Sequence, residues 1–225
     1  LVRQYWPFCG FLLLLAVELL LVSGTPTQDL AGLFLFFEGV KQPLAILLVW
    51  DLSRATFAGY PALSRFATKA AGSLLAACAL AGGISFVLQP ALPAGRGPQL
   101  HFFTAVLGAL VAGQLAFVFA LCIFAGWFPV QMARNLIRLL VGWLVILAVD
   151  WTGHQLANTN PGWANFANVV TSLSLLATAS YWTVTLNAEG ATQIVGQPLR
   201  WDADRMDRMT TQLNRMGAQL SRRGY

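Results

Sequence analysis

Glu18, Glu38 and Lys41 sit inside long apolar runs, where an ionisable side chain is costly and needs a reason. Two chemistries suit two carboxylates and one amine in such surroundings. Glu38 and Lys41, spaced i,i+3, share one face of a helix, so with Glu18 joining from a neighbouring helix they can close a buried ion pair that holds helices together. Alternatively they can pass on a proton or ion, or bind a polar headgroup or a quinone. Two carboxylates against one lysine leave one negative charge in excess. Gln114 belongs to the same layer by depth.

A second set comprises His101, Asp150 and His154. Asp150 and His154 are spaced i,i+4 and share a helix face, and His101 opens a different apolar segment. Two histidines from two helices could hold a haem axially, or a divalent metal together with Asp150. The plainer expectation is a pair of interfacial histidines in contact with water. Cys9, Cys78 and Cys122 are isolated within apolar segments and form no CxxC pair, so they read as small packing residues. Gly82-Gly83 and Gly108 lack a phosphate-loop context, and no GxSxG, HExxH or Walker motif occurs. The sequence therefore predicts no enzyme of recognisable class and no resident cofactor, with haem or quinone as the remaining alternatives.

The elements that must position these groups follow from composition. Of 225 residues, 57% are hydrophobic and only 10% are charged. Mean hydropathy is +0.63. A soluble domain carries about 25% charge, so most of this chain must face lipid. A spanning helix needs about 20 apolar residues, and six segments are expected to form one: 5–23, 30–54, 65–89, 99–126, 132–154 and 163–187. The fold expected is all-α, a polytopic bundle over 1–190. The second span carries Pro43 and is expected either as one kinked helix or as a re-entrant piece followed by a half-helix. Asp29 is expected to cap it. Tyr5, Trp6, Trp50, Trp127, Trp151, Trp163 and Trp182 fall near helix ends and read as interfacial anchors. With a rise of about 1.5 Å per residue, Lys41 falls within about 2 Å of the bilayer centre, Glu18 about 3–5 Å and Glu38 about 6 Å to its outer side.

Orientation follows from the cations. If the chain starts in the cytoplasm, twelve of its 14 Lys and Arg residues lie on the inner side, Arg96 alone lies outside, and Lys41 is in the bilayer. This is the arrangement of a bacterial inner-membrane protein with both ends cytoplasmic. The basic residues lie between and after apolar runs, which argues against a nucleic-acid partner.

Residues 199–225 are strongly polar and predict a cytosolic amphipathic helix. Met206, Met209, Leu213, Met216 and Leu220 recur at spacings of 3 and 4, a short a/d seam. A seam this short needs a partner helix, a second copy of the chain or the membrane surface. Arg208, Arg215 and Arg222 form a stripe seven residues apart that suits anionic headgroups.

The run Leu47-Leu48-Val49-Trp50-Asp51-Leu52-Ser53-Arg54, followed by Phe57, Tyr60-Pro61-Ala62-Leu63 and Arg65-Phe66, resembles a passage in seven-helix bacterial membrane proteins abundant in acidobacteria. Asn168 in the last span, Trp182 and Glu189 are similar too. The resemblance covers the chain to about residue 190 and implies one further helix before Leu1, which agrees with a first residue other than Met. It brings no activity with it. The function expected first is a non-catalytic membrane subunit, an accessory or scaffolding component joined through its tail to itself or to a larger membrane complex. The alternatives are a small ion- or proton-coupled transporter or channel using the Glu/Lys layer, and a haem- or quinone-binding electron-transfer subunit.

Overall fold

Backbone N–H and C=O groups placed in hydrocarbon must be paired within their own segment, and a helix does this locally. The computed structural model describes residues 6–24, 30–88, 98–127, 132–159, 161–195 and 203–222. It is all-α apart from one two-stranded ladder. The long helices are α1 (Trp6–Gly24), α2 (Leu30–Thr56), α3 (Pro61–Leu88), α4 (Pro98–Trp127), α5 (Arg134–Thr159) and α6 (Ala164–Thr185), and they coincide with the six expected segments to within a few residues. A short α7 (Ala188–Thr192) and the tail helix α8 (Ala203–Arg222) follow. Among the described residues, three helical stretches are long and apolar enough to cross a membrane: Pro61–Leu88, Phe102–Trp127 and Arg134–Leu156. The chain is thus a helical membrane protein.

Prolines mark the starts. Pro61 and Pro98 open α3 and α4, where a missing N–H removes no helical bond. Pro43, by contrast, lies inside α2, which runs unbroken from Leu30 to Thr56. The re-entrant alternative is therefore not adopted. Asp29, expected to cap α2, lies outside the described residues.

Small residues let the helices approach closely. A Cβ on Gly82 would lie 2.8 Å from Val106 Cα, and one on Gly113 2.8 Å from Cys78 Sγ. These two contacts seat α3 antiparallel to α4. Between α5 and α6, Gly142 lies beneath the Trp182 indole and Gly153 faces Thr171. α1 closes the bundle through edge-to-face pairs, Phe11 on Trp143 and Phe8 on Trp182, with centroids 4.9 and 4.7 Å apart. α2 packs against α1, α3, α4 and α5 and so occupies the middle of the assembly.

Two sequence expectations need correction or qualification. Trp182 is not an interfacial anchor: it is buried, and its Nε1–H donates to the Arg138 carbonyl at 3.1 Å. Gly142 on α5 leaves the space that draws the ring inward. Trp50, Trp127, Trp151 and Trp163 do remain exposed, whereas the Tyr5 and Trp6 side chains lie outside the described residues. The tail, for its part, is not free of the bundle. α8 packs on α3, and Leu213, the middle residue of its seam, is fully buried in the main core. Met216 packs beside it and Met209 is half-buried, while the side chains of Met206 and Leu220 lie outside the described residues.

Candidate functional site

α1, α2 and α5 bring five ionisable side chains into one region. Lys41 is central. Its Nζ lies 2.9 Å from Glu18 Oε2 and 3.2 Å from Oε1, so α1 presents both carboxylate oxygens to one ammonium. Glu38, one turn earlier on α2, pairs with the same Nζ. The three side chains are 13–18% exposed. The expected grouping of Glu18, Glu38 and Lys41 is thus present. A lysine ammonium offers three donors, and these two carboxylates leave it little need of water.

Asp150 on α5 extends the set. Its carboxylate lies within electrostatic reach of Lys41, and its Oδ1 stands 3.8 Å from His154 Nε2, beyond hydrogen-bond distance. His154 rests on α4, its Cβ 3.8 Å from where a Cβ on Gly108 would stand. The two sets that looked separate in sequence are therefore neighbours: Lys41 pairs with Glu18 and Glu38, and Asp150, beside His154, lies within electrostatic reach of the lysine. Asp150 is the link, and its side chain is about one-third exposed. His101 lies in the first turn of α4, but its side chain is outside the described residues, so the two-histidine arrangement rests on His154 alone. Among the described residues no group of three or more His, Cys, Asp or Glu is placed to hold a metal ion.

Gln114 does not touch the charges. It is fully buried, and its Nε2 donates to Gln42 Oε1 at 3.0 Å, joining α4 to α2 beside the lysine in sequence. Its own Oε1 has no partner. A buried acceptor left bare costs about 1–3 kcal/mol.

A polar knot at the opposite end of α5 was missed in the sequence. Asn135 is fully buried and its Nδ2 donates to the Asn187 carbonyl at 2.7 Å. Asn187 caps α7, accepting from the Gly190 N–H at 2.6 Å. Arg138 donates to the Thr185 carbonyl, and Arg134 Nη1 reaches Gln193 Oε1 at 3.3 Å. Met132–Ala133 and Ile194–Val195 pair as antiparallel strands β1 and β2. Gly190 is required here because a Cβ would collide with Asn135 Oδ1. The available signal was Asn187 ahead of Ala188-Glu189-Gly190, a capping sequence just past a helix end. From the sequence, Arg134 and Arg138 read only as two of the twelve inner-side charges. Arg138 fastens the end of α6, and Arg134 the residue after α7, to the start of α5.

No protein family, curated protein or solved structure matches the chain, so its function has to be argued from these contacts.

Proposed function

We propose that the protein is a small proton- or ion-coupled transporter or channel, with the file His154, Asp150, Lys41, Glu18 and Glu38 as its path. The observation that carries this reading is the convergence of Glu18 and Glu38, from two helices, on the one mostly buried Lys41 ammonium, with Asp150 within electrostatic reach of the same lysine. Helix adhesion alone does not call for such a set. Moving each charge out of water costs several kcal/mol even after relaxation, and an amide pair such as Gln42–Gln114 joins helices without that cost. The lysine is held by two acids on different helices, and a third acid stands on the side of His154. A proton or cation arriving past His154 and Asp150 competes with Lys41 for the carboxylates. When the incoming proton neutralises one carboxylate, the ammonium keeps the other and turns toward Asp150, and loss of that proton to the inner side restores both pairs and completes the transfer.

The same reading places the chain in a bacterial inner membrane with α8 on the cytoplasmic side, supported by the twelve Lys and Arg residues that this orientation collects there. His154 is then on the outer side. The accessory-subunit reading draws less support, because Leu213 of the tail seam is occupied by the chain's own α3.

The test is proton uptake into vesicles carrying purified protein and a trapped pH dye, under an imposed potential. Flux above that of protein-free vesicles is expected, falling at least ten-fold in Asp150→Asn while that variant stays monodisperse. Wild-type flux equal to that of empty vesicles under both signs of potential would refute the assignment.

A further inference from the structure

The end of the bundle that carries α8 holds a feature unrelated to the charge file. Between α3 and α4 an apolar groove of about 390 Å³ opens sideways, and Met216 and Gln219 of α8 form its lip. Its walls are the first turns of α3, from Leu63 to Ala70, and the last turns of α4, from Phe117 to Phe124. Phe57 and Phe124 meet edge to face at 5.4 Å at its base. Both walls belong to helices that are long and apolar enough to span a membrane, so hydrocarbon is the medium that meets this groove. Its volume falls within the range of small-molecule sites, about 300–1,000 Å³. Apart from Gln219 its lining is apolar and drawn from two helices that can span a membrane, so an acyl chain suits it.

The lip adds the charge that ordinary surrounding lipid does not need. Going around α8 from the buried Leu213, Met216 comes first and Gln219 next. Arg208, Arg215 and Arg222 then follow within about 60° of Gln219, and all three are exposed. The groove begins at the start of α3, next to the exposed Arg65, and leads from there into the apolar span. A lipid whose chain fills the groove therefore brings its phosphate to the side of α8 that carries the arginines. We infer that the cleft formed by α3, α4 and α8 is a binding site for an anionic phospholipid of the adjoining leaflet, its acyl chain against Phe66, Ala70 and Ala120 and its phosphate against Arg215 and Arg222. The bound lipid also fills the space beneath Met216, so it clamps α8 to the bundle.

The experiment is native mass spectrometry of the full chain in a non-ionic detergent, titrated with dioleoyl-phosphatidylglycerol or dioleoyl-phosphatidylcholine. One phosphatidylglycerol is expected to be retained at concentrations about ten-fold below those needed for phosphatidylcholine. Arg215→Gln and Arg222→Gln lie on an exposed stripe and leave the fold intact. Each is expected to weaken phosphatidylglycerol about five-fold and to leave phosphatidylcholine unchanged. Ala120→Trp, which fills the groove from an exposed position, is expected to reduce retention of both lipids. Equal retention of the two lipids by the wild type would overturn the site, as would a phosphatidylglycerol preference that survives the double arginine substitution. So would a lipid-free dimer in the same spectra, which would give the groove to a second copy of the chain. If Ala120→Trp fails to fold, the arginine pair still decides the matter.

Discussion

Lys41 satisfies two carboxylates on different helices, and removing it leaves both of them buried and facing each other. Breaking a buried ion pair from one side costs about 3–5 kcal/mol, whereas replacing the whole set by neutral groups of similar size is often tolerated. Lys41→Met alone is therefore expected to lower the melting temperature in detergent sharply. Adding Glu18→Gln and Glu38→Gln is expected to restore most of the loss, measured by thermal unfolding of the single and triple variants. A single variant as stable as the wild type would mean that the ammonium is not holding these carboxylates. At this scale the sequence was informative: residue types and a rise per residue were enough to group Glu18, Glu38 and Lys41. Asp150 fell into another group because it lies near the end of its own helix, and its nearness to Lys41 depends on how α5 turns toward α2. That rotation is set by Gly142, Gly153 and the Asn135 knot, side chains whose partners lie far away in the chain.

Helices form the next scale, and here α8 is the informative case. Its seam spacing identified the residues that would be buried but not what would bury them, since a seam of this length fits a partner helix, a membrane surface or its own bundle equally well. Contact with α3 decides for Leu213. A buried leucine cut to alanine costs about 2–5 kcal/mol, more than an isolated helix of this length can supply from its own backbone. Leu213→Ala is expected to release α8 while α1 to α6 stay packed. Limited trypsin digestion should then cut at Arg208, Arg215 and Arg222 at least ten times faster than in the wild type, with the remainder of the chain resistant. Equal cutting rates would show that α8 is held by something other than this leucine. The positions of α1 to α6 were legible from apolar length and from Gly and Pro punctuation. The β1–β2 pair and α7 were not, because pairing across a long stretch of chain leaves no periodicity to read.

Over the whole molecule, the charges fall into two regions with different surroundings. Among the described residues most cations lie on α8, at the end of α2 and at the starts of α3 and α5, and that asymmetry was readable from the order of Lys and Arg alone. Three acids, Glu18, Glu38 and Asp150, lie deeper, on α1, α2 and α5, with His154 one turn beyond Asp150. A protein that only needed to hold its helices together has Gln42–Gln114 and close glycine contacts for that purpose. The Glu18, Glu38, Lys41 and Asp150 set is left over, and the proposed ion movement would account for it. The most direct test is proton flux through vesicles carrying the triple variant Glu18→Gln, Glu38→Gln, Lys41→Met, which is expected to recover most of its packing. Ion movement through the file predicts a fall to the level of protein-free vesicles with the melting temperature nearly unchanged. Wild-type flux persisting in the folded triple variant would contradict it.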